Sequence, residues 1–389
     1  MAVDTLTGLL QSRRSRKKSI LVEVGLVVAV SLFLAFVVPL FLSDFRLSLL
    51  GRFMSLAIVA LGVDLIWGFT GLLSLGHGIF FALGGYAFAM YLQLQIPDGQ
   101  LPEFFTLYGV TELPWFWKPF YSFPFTLAAL IIIPMIVAAL FGYLVFRNRI
   151  RGVYFSILTQ AALVVFFNFF NGQQKLINGT NGLKTSTSIL FGSAVGTPQM
   201  QFVFYVITIF FLALLYGFCR WLTSGRFGKL LVAIRDDENR VRFSGYDPSR
   251  FKMLVFALSG GIAGVAGALY TVQSGIVSPQ FMDIAFSIEM VIWVAVGGRA
   301  TLIGAILGAV VVNYARSLLS EQFPEVWLFF QGALFLIVVL VLPDGVVGWL
   351  RTEGPNLWRR LTGKPKYVST FPSLELDESV QQERETIEK

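Results

Sequence analysis

The chain has a single cysteine, Cys219, and a single histidine, His77. An internal disulfide, a cysteine-based metal cluster and a histidine-rich metal centre are therefore excluded, and no metal site is expected. Charge is scarce too: 14% of the 389 residues are Asp, Glu, Lys or Arg, where a soluble domain carries about 25%. No phosphate-cradling loop occurs, since Gly228-Lys229 runs on into Leu230 and lacks an upstream glycine at the required spacing. GxSxG, HExxH and paired-carboxylate patterns are also missing. The chain is not expected to be an enzyme or to bind a cofactor of its own.

What is abundant is apolar. The chain is 56% hydrophobic with mean hydropathy +0.72, and holds 39 Phe and 37 Gly. This composition predicts an all-α polytopic membrane protein, with Phe as lipid-facing bulk and Gly permitting close helix approach. Ten spans are expected, at 20–42, 47–67, 71–94, 121–146, 152–170, 202–222, 251–273, 284–298, 301–320 and 326–349. The first is too long for a signal-peptide core and lacks a small-residue cleavage site, so it reads as a retained span. The net charge of +7 does not imply nucleic acid, because the basic residues sit beside spans, where the positive-inside rule explains them. Arg13, Arg14, Arg16, Lys17 and Lys18 precede the first span; Arg147, Arg149, Arg151 and Arg299 fall in alternate loops; Arg351, Arg359 and Arg360 follow the last. Both termini are thereby expected inside, with Lys175 and Lys184 as mild exceptions.

The expected organisation is a cytoplasmic basic tail at 1–19, a transmembrane domain at 20–350 and an acidic tail at 351–389 expected to be disordered. Two outer loops are long: one carries an aromatic belt of Trp115, Phe116, Trp117, Phe120 and Tyr121, and the polar loop 171–201 suits a vestibule or lid. The spans divide five and five around 171–201, so any internal repeat would be inverted. Gly68-Phe69-Thr70-Gly71-Leu72 and Gly297-Gly298-Arg299-Ala300-Thr301-Leu302 are its possible traces.

The longest charged interruption runs from Arg226 to Lys252, with seven basic residues against four acidic ones. Phe227, Leu230, Leu231 and Ile234 share one face at helical spacing. A second helix can start with Asp236 as N-cap, Asp237 and Glu238 in its first turn, Arg240 and Arg242 near its end and Gly245 closing it. Asp247-Pro248-Ser249 starts the next element. Such a folded knob reads as a docking site for another protein or, more plainly, as a solvated loop with positive-inside charge.

Ionisable groups at membrane depth are read as Asp64, His77 and Glu289, each needing a partner or a cavity. For Asp64 the simpler reading is a hydrogen bond at a helix end; for His77, between Gly76 and Gly78, a packed neutral imidazole. Glu289 is the best candidate for a pathway-lining or buried, paired carboxylate. Ser156, Thr159 and Gln160, with Asn168 and Asn171, either line a polar route or hydrogen-bond between helices. Gly260, Gly261, Gly264 and Gly267, with Gly304 and Gly308, read as packing faces.

Four stretches carry a resemblance to a known family: Thr70-Gly71-Leu72-Leu73-Ser74-Leu75-Gly76-His77-Gly78; Gly179-Thr180-Asn181-Gly182-Leu183; Ala233-Ile234-Arg235-Asp236-Asp237-Glu238 with Gly245; and Gly297-Gly298-Arg299-Ala300-Thr301-Leu302-Ile303-Gly304. Over residues 20–350 the chain resembles permease subunits of branched-chain amino acid and urea ABC importers. Gly152 to Ala161 and Leu113-Pro114-Trp115-Phe116-Trp117 look more like the urea type, so urea is the expected solute and an amino acid the alternative. An ion-coupled secondary transporter would need mid-membrane carboxylates, of which Glu289 is the one plausible example. The resemblance implies a ten-helix fold similar to vitamin B12-type importers, in a bacterial inner membrane. It implies as partners a second homologous permease, two cytosolic ATPases that use ATP and Mg, and a periplasmic binding protein. The solute path would be touched by Ser74, His77, Ser156, Thr159, Gln160, Asn181 and Glu289. The coupling element, within 224–250, would use Arg226, Ala233, Ile234, Arg235, Asp236, Asp237, Glu238, Arg240 and Gly245. Ala300 and Asn178 depart from the pattern, standing where glycine is expected.

Overall fold

Apolar runs in this chain fold as helices because a backbone in lipid must satisfy its own N–H and C=O groups. The structure, a computed structural model, describes residues 24–96, 100–190, 192–323, 325–341 and 345–352. The expected tails, 1–19 and nearly all of 351–389, lie outside the described residues.

In chain order the helices are α1 (Val24–Leu40), α2 (Asp44–Thr70), α3 (His77–Leu94), the short α4 (Glu103–Leu107), α5 (Phe123–Arg147), α6 (Val153–Gly172) and the one-turn α7 (Gln174–Ile177). After these come α8 (Pro198–Ser224), α9 (Arg226–Asp236), α10 (Glu238–Phe243), α11 (Pro248–Ser274), α12 (Ile284–Gly297), α13 (Leu302–Gln322), α14 (Trp327–Val341) and α15 (Gly345–Thr352). The first nine expected spans each fall on one of these helices, and the tenth, 326–349, falls on two, α14 and α15. Six of them, α2, α5, α6, α8, α11 and α13, are long and apolar enough to cross a membrane, while α1 and α12 are shorter apolar helices. The third expected span needs correction: it was placed at 71–94, but α3 begins only at His77. Gly71 ends α2 in the left-handed region at φ 73°, and residues 71–76 are not helical.

The bundle is built on α11, which packs along α2, α3 and α5. Its glycines are the reason it fits. A side chain at Gly264 would meet the Leu130 carbonyl and the Pro134 ring of α5, and one at Gly267 would meet the Phe81 carbonyl of α3. The same holds between α12 and α13, where Gly308 lies against the Trp293 carbonyl. In lipid there is little hydrophobic gain from bringing helices together, so backbone contact and dispersion supply the attraction.

Two successive helix pairs follow one plan. Helix α2, of 27 residues, ends at Gly71, and after a non-helical stretch α3 begins. Helix α11, also of 27 residues, ends at Gly275 with φ 78°, and after another non-helical stretch α12 begins at the N-cap Asp283. The new helices start inside the bundle. His77 meets Ser259, about 16 Å along α11 at 1.5 Å per residue. Gly78 at the start of α3 donates to Ser287 in the first turn of α12 (3.2 Å).

The described parts of the loop 171–201 lie over the far end of α11. Strand β1 (Leu183–Lys184) pairs antiparallel with β4 (Ile276–Val277), Leu183 facing Val277, while β2 (Ile189–Leu190) and β3 (Ser193–Ala194) form a small hairpin. The Thr185 hydroxyl donates to the Thr271 carbonyl at 3.0 Å and secures the loop to the helix. Asn178 takes φ 59° and donates to the Gly182 carbonyl at 2.7 Å. Asparagine tolerates the left-handed region, which explains how it stands where glycine was expected.

Two outcomes follow. Gly264→Val should lower the thermal midpoint of the purified protein sharply, by at least about 1–3 kcal/mol of overpacking, and size-exclusion chromatography in detergent should show loss of the monodisperse species. Ala300 sits at φ 57°, a conformation costing an L-residue roughly 1–2 kcal/mol. Ala300→Gly should therefore raise the melting midpoint, and an unchanged or lower midpoint would refute strain at that turn.

Candidate solute vestibule and coupling knob

Most of the polar residues expected along a path instead hold the break between α2 and α3. Ser156 donates to the Leu73 carbonyl (2.6 Å), and Thr159 accepts from the Leu75 amide (3.0 Å) while donating to the Ser156 carbonyl (2.8 Å). Ser74 accepts from the Gly76 amide at 3.3 Å. The Ser259 hydroxyl donates to the Gly62 carbonyl (2.6 Å), so it receives the Nε2–H of His77 (2.6 Å). His77 is fully buried, edge-on to Phe80 and Phe256. These groups satisfy a non-helical backbone at membrane depth, as such backbone requires. Gln160 is half-buried on α6, and Asn181 is exposed in the ordered loop, away from the break.

Glu289 is buried and paired with Arg316 of α13, so it is a tied carboxylate. Asp64 accepts from the Ala300 amide at 2.7 Å, and this fixes the turn between α12 and α13. The expected short inventory of membrane charges omits two arginines that the structure makes prominent: Arg316, and Arg52 on α2.

Arg52 lines a cavity of about 280 Å³ where α2, α8, the loop 171–201 and the end of α11 meet. Its Nε donates to the Gln273 carbonyl (3.0 Å), which also accepts from Ser48 (3.2 Å). Gln273 is buried on the space left by Gly51 and donates to Thr208 at 2.9 Å. Gln201 donates to the Val195 and Val272 carbonyls (2.9 and 3.1 Å). Asp44, at the start of α2, lines the same cavity and is exposed. A carboxylate and a guanidinium thus share one polar cavity with hydroxyls and amides, and Phe45 and Pro198 add apolar wall.

At the opposite end of α11 stands the charged knob. Leu231 and Ile234 of α9 are buried, as the helical spacing requires. The second helix starts one residue later than expected: Asp237, not Asp236, is the N-cap, accepting from the Asn239 and Arg240 amides (2.9 and 3.1 Å). Gly245 closes the turn at φ 86°, and Asp247 caps α11 with Pro248 at its first position. Glu238 is the hub: its carboxylate meets Arg242 (3.1 Å), Arg151 (3.1 Å) and Lys252 (2.5 Å). Arg235 of α9 donates to the Gly68 carbonyl of α2 at 2.9 Å. A side chain at Gly68 would press on Ala300 and Asp64. The knob, the end of α2 and the α12–α13 turn therefore touch in series. Arg226, Ala233, Arg235, Asp236 and Arg240 remain exposed, and Phe243 is 92% exposed.

A family model described as the permease component of the branched-chain amino acid transport system matches residues 45–339. The chain belongs to that family. A high-affinity branched-chain amino acid transport system permease protein LivM of Salmonella typhimurium is 26% identical over 317 residues, covering 76% of this chain and 68% of that protein. A probable branched-chain amino acid transport permease LivM of Methanocaldococcus jannaschii is 23% identical, covering 75% and 89%. The LivH permease of Salmonella typhimurium is 24% identical, covering 75% and 91%. No solved structure matches. These relatives back the amino-acid alternative over the urea reading.

In this permease the loop 171–201 was expected to form a vestibule or lid, and what sequence reasoning missed is the side of the cavity built by α2, α8 and α11. Arg52 is visible inside an apolar run, but Asp44, Gln201 and Gln273 lie far apart in the chain and meet only through the packing of α2, α8 and α11. The exposed Phe243, inside a charged segment, was legible and overlooked. For the knob, Glu238→Ala should destabilise the permease by about 3–5 kcal/mol because it leaves a buried ammonium unpaired; Lys252 is 4% exposed. Glu238→Leu combined with Lys252→Met should recover much of the loss in thermal unfolding, and a double variant as unstable as the single would refute the pairing argument.

Proposed function

We propose that this chain is one of two permease subunits of an ATP-driven importer for aliphatic amino acids, with both termini in the cytoplasm. The observation that carries the solute class is the vestibule shared by Arg52 and Asp44. A zwitterion brings an α-carboxylate and an α-ammonium, which these side chains match in sign, whereas urea needs neither. Arginine suits a planar carboxylate through paired N–H donors, and Phe45 and Pro198 suit an aliphatic side chain. Relatives described as branched-chain amino acid permeases support the same reading.

In this reading a binding protein delivers solute at the vestibule end, and two ATPases dock on the exposed faces of α9 and α10. Arg235 passes their movement to Gly68, and Asp64 passes it to the α12–α13 turn. The paired plans of α2–α3 and α11–α12 support an inverted repeat, with a fold similar to vitamin B12-type importers. The second permease completes the route. Inside this chain Ser74, His77, Ser156, Thr159 and Glu289 already have partners, so the solute passes along a surface of the chain. An ion-coupled carrier is the weaker reading, because Glu289, its one candidate coupling carboxylate, is tied to Arg316.

The test is uptake of labelled leucine and labelled urea in cells lacking this gene, with wild-type or Arg52→Gln protein restored. Leucine uptake should be lost, recovered with the wild-type gene and reduced about tenfold or more with the variant, the scale of one charged hydrogen bond. ATPase subunits should still co-purify. Dependence of urea uptake alone would overturn the solute class, and uptake that persists without ATP would overturn the importer class.

A further inference from the structure

Four arginines gather around one half-open cavity. At the knob end, a space of about 610 Å³ opens between the end of α5, the α5–α6 turn, the end of α10 and the start of α11. Arg147, Arg149, Arg242 and Arg250 line it, with Asp247 as the one carboxylate among the lining residues. Three of these arginines are partly engaged: Arg242 with Glu238, Arg250 with Asp247 (3.1 Å each), and Arg147 with the Tyr143 hydroxyl. Arg149 makes no ion pair among the described residues, and its backbone is held at φ 58°. Like charges gathered around one space repel one another, so a bound anion stabilises the arrangement.

The rest of the lining is Tyr143, Phe146, Tyr246 and Met253, with Ser249 as its one further polar residue. Above it on α5 runs an exposed apolar stripe, with Ile136 52%, Leu140 61% and Leu144 61% exposed at four-residue spacing. Tyrosine and arginine at the end of such a stripe sit at headgroup depth. An anion seated among the arginines therefore has apolar surface leading directly away from it towards the bilayer core. That is the shape of a phospholipid, phosphate inward and acyl chains along α5. An acidic loop of a partner protein would use the arginines but not the stripe.

We propose that this cavity is a binding site for the phosphate headgroup of an anionic phospholipid from the leaflet at the knob end. It goes beyond the transport reading and does not depend on the solute. Basic pockets between membrane helices recognise such headgroups through charge-assisted hydrogen bonds. The site shares Arg242 with the Glu238 hub, so its occupancy also steadies the coupling knob.

The experiment is native mass spectrometry of the full-length chain in non-ionic detergent, titrated with phosphatidylglycerol or phosphatidylcholine. Wild-type protein should retain phosphatidylglycerol at least tenfold more tightly than phosphatidylcholine. Arg147→Gln/Arg149→Gln/Arg250→Gln should lose that preference, while Arg226→Gln/Lys229→Gln, which removes two basic residues of α9, should keep it. Because the triple variant risks misfolding, Arg149→Gln alone is the second arm; its guanidinium has no ion pair to break, and a severalfold weakening with an unchanged melting midpoint is expected. Equal binding of the two lipids, or full retention by both variants, would overturn the site. Displacement of the bound lipid by millimolar inorganic phosphate would assign it to a free anion. Normal lipid binding by the triple variant together with loss of ATPase co-purification would assign it to protein docking.

Discussion

A polypeptide backbone cannot leave N–H and C=O groups unpaired in hydrocarbon, and most of this structure answers that constraint. Where the chain stays helical the answer is automatic. Where it breaks, at 71–76 and 298–301, side chains from other helices take over. Ser156, Thr159 and Ser287 contact the first break and its edge, and Asp64 holds the second. Each partner lies tens of residues or more from the backbone it satisfies, so the breaks exist only in the assembled bundle. An unpaired amide or carbonyl there would cost several kcal/mol.

The close approach of α11 to its neighbours makes those long-range bonds possible. Ser259 reaches both Gly62 and His77 because α2 and α3 lie against the glycine-rich length of α11. A larger residue at Gly264 or Gly267 would move helix backbones apart by more than a hydrogen bond tolerates. Packing and polar satisfaction are consequently one cooperative property here. Two separate contributions would not describe them, and neither pattern is local in sequence.

This separates what was legible from what was not. Apolar runs gave the helices, and the Asp247-Pro248 start of α11 and the Gly71 break are written in local residue chemistry. The knob was legible nearly to the residue, because N-caps, charge order and a closing glycine act within one or two turns. The depth at which α3 begins was not, since hydropathy continues unbroken through Leu72, Leu73 and Leu75. Nor was the role of Ser156 and Thr159: their helical spacing fits a polar lining and a helix–helix bond equally, and only the position of Leu73 and Leu75 decides. The vestibule was least legible, because Arg52 and Gln273 stand 221 residues apart and meet at a carbonyl.

The distribution of charge follows from the same economy. Most of the polar side chains expected along a path are engaged in holding the bundle, and a group already hydrogen-bonded inside has little left to offer a passing solute. In the proposed function the groups that act on other molecules stand at the ends: Asp44 and Arg52 at one, the exposed face of α9 and α10 and the arginine-lined cavity at the other. These ends are joined by α2, which carries Arg52 in its first half and contacts Arg235 through Gly68 near its last turn. A 27-residue helix is about 40 Å long and stiff, so in the proposed coupling a displacement applied at Gly68 would be carried along it to the cavity lined by Arg52. The side chain of Asp64 would direct part of the same displacement into the α12–α13 turn, and α12 meets α3 at Ser287 and Gly78. In the proposed coupling, motion at the knob would therefore reach the middle of the bundle by two routes, both passing through the last two turns of α2.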